Sequence, residues 1–287
     1  MASTNEIRKR RAVERALLGA ARQTVLALVA LVVFVPILYI IMASFKSKMD
    51  YVGNQIGLPA PFVLDNYRTL LKDGQILLWF ANSAIVTGVS VASCTLIAVL
   101  GAFAFAKMRF PGKDRIFNLV ISLMIIPPIV MLIPLFVLST QVRLVNTYWS
   151  AIIIDAGLML PFSVYLLRNF FITVPESIMN SARIDGCSDR GILFRIILPL
   201  SSSALITLTV VNVLWVWNEL LIALIFLQKN TLTTLMVGLV QYQGKFKVNQ
   251  PALLAGIFLS MIPMIVIYLV GQRFFVQGLT AGALKGE

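Results

Sequence analysis

Six long apolar runs, at 23–45, 79–106, 116–139, 149–167, 201–227 and 251–272, leave this chain little choice of fold. A bilayer core about 30 Å thick is crossed by about 20 residues of helix, and a helix satisfies its own backbone where no water can. The runs therefore predict an all-α membrane protein with six transmembrane helices. Composition agrees, with 59% hydrophobic and only 13% charged residues. A soluble domain carries about 25% charged residues, so this chain cannot coat a water-facing surface. It contains no histidine, which removes the usual general base, metal ligand and neutral-pH switch together. Its two cysteines, Cys94 in an apolar run and Cys187 in a charged loop, do not suggest a disulfide framework.

The net charge of +12 suggests nucleic acid only if the cations share a soluble face; here they flank the runs. The first run follows a basic tail (Arg8, Lys9, Arg10, Arg11, Arg15, Arg22), exceeds a signal-peptide core and lacks a small-residue cleavage site, so it is expected to remain as an anchor. The tail, the 107–115 loop, the 168–199 loop and the C-terminus hold 16 of the 24 Lys and Arg, and the alternate segments hold eight. By the positive-inside rule both termini are cytoplasmic. The expected domains are a basic tail (1–22), a six-helix transmembrane domain (23–272) containing a long cytoplasmic loop (168–200), and a C-terminal tail (273–287). Pro36, Pro127, Pro128, Pro134, Pro161 and Pro263 fall within the spans as either kinks or ordinary membrane-helix prolines. Gly88, Ser90, Ala92, Ser93, Ala98, Gly101 and Ala102 allow close packing of the second span.

In the long cytoplasmic loop, Thr173 and Glu176 have capping-box spacing, with Pro175 in the first turn. Gly186 can end that helix in the left-handed conformation, and Ser188 or Asp189 can cap a second one running to the Leu198-Pro199 break. On the first helix Ile178, Ala182 and Asp185 form a stripe at spacings of four and three. Such a stripe either docks in a groove of another protein or lies on the membrane surface.

The run Asn180-Ser181-Ala182, three residues, Gly186, nine residues, Ile196, one residue, Leu198-Pro199 resembles the EAA signature of ABC importer permeases, with Asn180 for the usual Glu and Ser181 for the first Ala. Asn66-Tyr67, Phe80-Ala-Asn-Ser83, the 104–112 run ending Phe-Pro-Gly, Met124-Ile-Ile-Pro127, Ile133-Pro134, Trp217-Asn-Glu219 and the 272–286 run extend the resemblance to the maltose-type sugar permeases over nearly the whole chain. The resemblance implies a type I ABC importer permease fold with a cytoplasmic coupling helix, in the bacterial inner membrane. It implies as partners a homologous second permease subunit, two cytoplasmic ATPase subunits and an extracytoplasmic substrate-binding protein, besides membrane lipid. ATP and Mg would be bound by the ATPase subunits, with no cofactor on this chain. The sequence has no G-x-x-x-x-G-K-[ST] phosphate loop, since Gly112-Lys113 runs into Asp114. Residues implied to couple to the ATPase are Ile178, Asn180, Ser181, Ala182, Asp185 and Gly186. The segment 278–286 reaches toward the ATPase in that family, or is simply a frayed chain end.

Two acids, Asp155 and Glu219, lie inside apolar runs, each at a cost of about 2.5–3.5 kcal/mol near a helix centre. Glu219 reads equally as a structural hydrogen-bonding group or a substrate contact, and Asp155 as an interfacial acid or an acceptor for sugar hydroxyls. Apolar walls with a few polar groups make a sugar path, so Asp155, Phe162, Tyr165, Trp215, Asn218 and Glu219 are its candidate residues. An interfacial aromatic belt accounts for Trp79, Tyr148 and Trp149. The segments 46–78 and 228–250 are expected docking surfaces for a binding protein. Three alternatives remain: a glycerol-phosphate or polyol permease of the same family, a secondary transporter or channel, and an intramembrane hydrolase. The last lacks the acids and lysines its chemistry needs.

Overall fold

A computed structural model describes residues 2–72, 74–245 and 249–283. The described residues form helices and turns with no strand. The helices are α1 (Ala2–Ser44), α2 (Lys48–Gly53), α3 (Asp65–Lys72), α4 (Gln75–Lys107), α5 (Lys113–Ser122), α6 (Pro128–Gln141), α7 (Tyr148–Ile172), α8 (Glu176–Ile184) and α9 (Asp189–Ile192). They continue as α10 (Leu198–Leu200), α11 (Ser202–Trp217), α12 (Leu221–Phe226), α13 (Leu235–Lys245) and α14 (Gln250–Ala283). Four helical stretches are long and apolar enough to span a bilayer, and two bent pairs raise the number to six.

Proline chemistry explains which runs bend. Pro36, Pro134, Pro161 and Pro263 sit inside continuous helices. Pro127 precedes another proline, whose ring drives it out of the helical region to φ −60°, ψ 131°. There Lys113–Ile125, which ends in a 3₁₀ turn (Leu123–Ile125), meets Pro128–Gln141 at 102°. The other bend, 79°, falls at Ser201 between Asp189–Leu200 and Ser202–Trp217, past the expected Leu198-Pro199 break. A π-helical stretch, Leu193–Ile197, lets Leu198 donate to the Leu193 carbonyl, and the helix passes through Pro199 before turning. The apolar run 201–227 is likewise interrupted, at Asn218–Leu220.

The chain divides into two compact units. In one, Met1–Leu70 with Phe246–Phe258, α3 is tied to the end of α1. Buried Asn66 donates from Nδ2 to the carbonyls of Ser44 (2.8 Å) and Lys46 (2.9 Å), and Tyr67 Oη lies 2.6 Å from Ser44 Oγ. Phe45 stacks on Phe62 and leans on Tyr67, while buried Lys46 donates to the carbonyls of Asn54 and Gln55. The Asn66-Tyr67 pair therefore fastens the segment after the first span.

The second unit, Leu71–Lys245 with Leu259–Glu287, is organised by α4 and α7. Near their starts, Tyr148 donates to Asn82 Oδ1 (2.6 Å), and Asn82 Nδ2 donates to the carbonyls of Thr231 and Thr233. Leu235 N–H donates to Ser83 Oγ. Asn82 and Ser83 thus hold the whole turn into α13. Farther along, Cys94 Sγ lies 3.3 Å from Ser163 Oγ, which accepts from Asn212 Nδ2 on α11. Trp79 belongs to this core, buried where the absent side chain of Gly238 admits its ring, and Tyr148 is hydrogen-bonded inward; neither is the belt residue expected, whereas Trp149 is exposed. α14 extends through Ala283, so the expected tail 273–287 is helical as far as that residue, and 284–287 lie outside the described residues.

Candidate functional site

The first candidate is the loop that follows α7. Thr173 Oγ1 donates back to the Phe170 carbonyl (2.7 Å), so the expected capping box does not form and Pro175 is the N-cap of α8. Gly186 has φ +82° and turns the chain as expected. Ser188 Oγ then accepts from Gly191 N–H and caps α9, while Asp189 pairs with Arg183 at 3.2 Å. The carbonyls of Val174 and Ile172 accept from Lys107 Nζ at the end of α4 (2.6 and 3.5 Å). Arg168 donates from Nε to the Phe105 carbonyl and lays its guanidinium over the Phe117 ring, 4.0 Å from the centroid. The loop is therefore fastened to the span bundle of its own unit.

α8 has two faces. Met179 and Ala182, at i and i+3, are buried in the apolar core with Phe117, Phe171, Val174, Ile192 and Leu193. Ile178, Asn180, Ser181, Asp185 and Gly186 are exposed. The stripe read from the sequence is thus split: Ala182, 7% exposed, anchors the helix from behind. The helix end instead presents Ile184, 87% exposed, which the sequence reading passed over although it lies between Asp185 and Arg183 as an apolar residue without an inward partner. A polar cleft of about 510 Å³ beside α8 is lined by Lys107, Arg109, Glu176, Asn180, Arg183 and Asp189, among others.

The second candidate is a cleft of about 410 Å³ where two helix interruptions meet, lined by Pro128, Ile129 and Leu132 from α6 and by Trp215, Asn218 and Glu219 around the α11–α12 break. Non-helical backbone in a membrane run is tolerated where it lines a cavity or lies inside protein. Three of the six expected pathway residues meet here. Glu219 also closes the break: its Oε1 accepts from Ile222 N–H (2.8 Å) and its Oε2 from Ala223 N–H (3.0 Å), serving the free donors of α12. Asn218 Nδ2 donates to the Leu214 carbonyl, and Trp217 Nε1 donates to the Ser260 carbonyl.

The other three expected residues lie elsewhere. Asp155 is 1% exposed, on the α7 face whose ends, Tyr148 and Ser163, reach Asn82 and Cys94 of α4. Its Oδ1 has no hydrogen-bond partner among the described residues, nor do Thr87 Oγ1 and Ser90 Oγ on the intervening stretch of α4. Phe162 packs against the apolar core and Tyr165 is exposed, both farther along α7 and outside this cleft's lining. Among the described residues, no group of three or more Cys, Asp or Glu is placed to hold a metal.

Broken spans, a cleft where two helix interruptions meet and a short exposed helix fastened to the bundle are features that suit a membrane transport subunit. Residues 95–280 match the family model of the binding-protein-dependent transport system inner membrane component, and the chain belongs to that family. It is 34% identical to a putative ABC transporter permease of a Caldicellulosiruptor species, over 91% of this chain and 95% of that one. It is also 34% identical to an arabinooligosaccharides transport system permease of Halalkalibacterium halodurans, over 91% and 94%. A melibiose/raffinose/stachyose import permease of Bacillus subtilis is 31% identical over the same shares. Among solved structures, a bacterial ABC transporter involved in import of the acidic polysaccharide alginate aligns with a TM-score of 0.80 and 26% identity, over 90% of this chain and 96% of that one. The fold is that of an ABC importer permease, a transport subunit and not an enzyme.

Proposed function

We propose that the chain is the membrane subunit through which an ATP-driven importer moves an oligosaccharide, by alternating access coupled to separate ATPase subunits. The carrying observation is α8, whose buried Met179 and Ala182 fix it to the spans while Ile178, Ser181, Ile184 and Asp185 face outward. A helix held this rigidly passes a push on its outer face to α4, α7 and α9. ATP and Mg belong to the partner ATPases, a second homologous permease completes the pathway, and a binding protein delivers sugar to the segments 46–78 and 228–250, of which residues 73 and 246–248 lie outside the described residues. Both termini and α8 are on the cytoplasmic side, in keeping with the basic residues there. The relatives' cargoes support a carbohydrate, and a glycerol-phosphate or polyol permease is the nearest alternative.

The test is reconstitution with the ATPase and binding-protein partners. Ser181→Trp combined with Ile184→Asp should abolish both uptake and binding-protein-stimulated ATP hydrolysis while the thermal melting of the permease stays unchanged. Normal coupling in that variant would reject the assignment of α8.

A further inference from the structure

The turn between α4 and α5 has a chemistry that coupling does not use. A shallow cleft of about 640 Å³ is lined there by Met108, Arg109, Phe110, Lys113, Asp114 and Arg115, with Gly112 at φ +78° making the turn. Lys113 spends its ammonium on the Met108 carbonyl (3.1 Å), bracing the loop. Arg109 and Arg115 are exposed and have no hydrogen-bond or ion-pair partner among the described residues. Of the other cations in the 107–115 and 168–199 loops, Lys107 is engaged on the Val174 carbonyl, Arg168 on Phe105 and Phe117, and Arg183 on Asp189, while exposed Arg190 and Arg195 lie outside this cleft's lining. Two free guanidiniums in one cleft favour an anion with several oxygens, and phosphate matches their planar donor fork.

The surface next to the cleft selects among phosphates. Exposed Ile116, Leu119 and Leu123, at i, i+3 and i+7, run from the cleft along α5 into the 3₁₀ turn of a candidate span. A free phosphate has no use for that stripe, whereas a phospholipid places its headgroup on the arginines and an acyl chain along the leucines. We infer that this cleft is a binding site for the headgroup of an anionic glycerophospholipid, held by Arg109 and Arg115. Only its assignment to the cytoplasmic leaflet rests on the proposed function.

Native mass spectrometry of the purified complex, incubated with phosphatidylglycerol or phosphatidylcholine, tests the site without any transport assay. Near an anionic lipid surface each arginine contributes about fivefold in affinity, so Arg109→Gln with Arg115→Gln should weaken phosphatidylglycerol retention about 25-fold and leave phosphatidylcholine unaffected. Arg109→Lys with Arg115→Lys should restore much of it, and Arg68→Gln, elsewhere, should change nothing. The inference is overturned if the glutamine variant keeps the phosphatidylglycerol adduct. It is equally overturned if millimolar inorganic phosphate displaces the lipid, or if the variant loses its ATPase subunits with lipid retention intact.

Discussion

Glu219 shows how a single carboxylate in an apolar run acquires a structural reason to exist. Both oxygens accept backbone N–H groups at the start of α12, so its charge serves donors that the helix break would leave bare. Glu219→Ala should cost about 1–2 kcal/mol, the usual range for a lost cap, and Glu219→Gln, with one acceptor oxygen, about half. If uptake in Glu219→Gln instead showed a raised KM with unchanged melting, the side chain would be a substrate contact. Asn82, 1% exposed, has a larger effect: its amide accepts from Tyr148 and donates to two carbonyls of the turn before α13. Asn82→Ala should destabilise the permease by about 2–4 kcal/mol because the buried Thr233 carbonyl loses its donor and the Tyr148 hydroxyl its acceptor. The sequence marked both residues as part of motifs without showing what either does: Glu219's partners are three and four residues away, at a helix break that the apolar run did not reveal, whereas Asn82's lie far along the chain. Thr231 is 149 positions from Asn82, and only the fold brings them together.

Helix ends within one loop were the most legible feature at the scale of elements, where local chemistry decides. Gly186 and Ser188 do what their residue types suggest, since a positive φ and a hydroxyl cap need no distant partner. Thr173 does not, because the Phe170 carbonyl at the end of α7 competes for its hydroxyl. The faces of α8 were not legible, because a nine-residue amphipathic helix gives its apolar stripe and not which apolar residues meet its own protein. Met179 and Ala182 turn inward while Ile178 and Ile184 remain outside. Ala182→Trp should therefore overfill the core against Phe171 and Ile192 and cost about 1–3 kcal/mol of stability, before any partner docks. Ser181→Trp, one position earlier, should leave melting unchanged and lower coupling alone. The same contrast accounts for the spans: hydropathy located the apolar runs, and proline marked six candidate kinks without showing that only Pro127-Pro128 breaks its helix, while the bend at Ser201 and the gap at Asn218–Leu220 carry no such mark.

For the molecule as a whole, sidedness was inferred from basic residues, and the two cysteines supply an independent check. Cys94 is fully buried beside Ser163 and should resist labelling until the protein unfolds. Cys187 is half-buried one residue past the Gly186 turn, partly packed against the apolar core and next to exposed Ser188, so it should react more readily than Cys94, and from the side that α8 faces. A membrane-impermeant maleimide should modify the chain in inverted membrane vesicles and not in right-side-out cells, and Cys187→Ser should abolish the signal. Added ATPase subunits should slow the reaction, because the surface proposed for their docking adjoins this thiol. Labelling from outside the cell would place α8 away from any cytoplasmic ATPase. It would then remove the coupling role from α8, while the helix packing of the fold would stand.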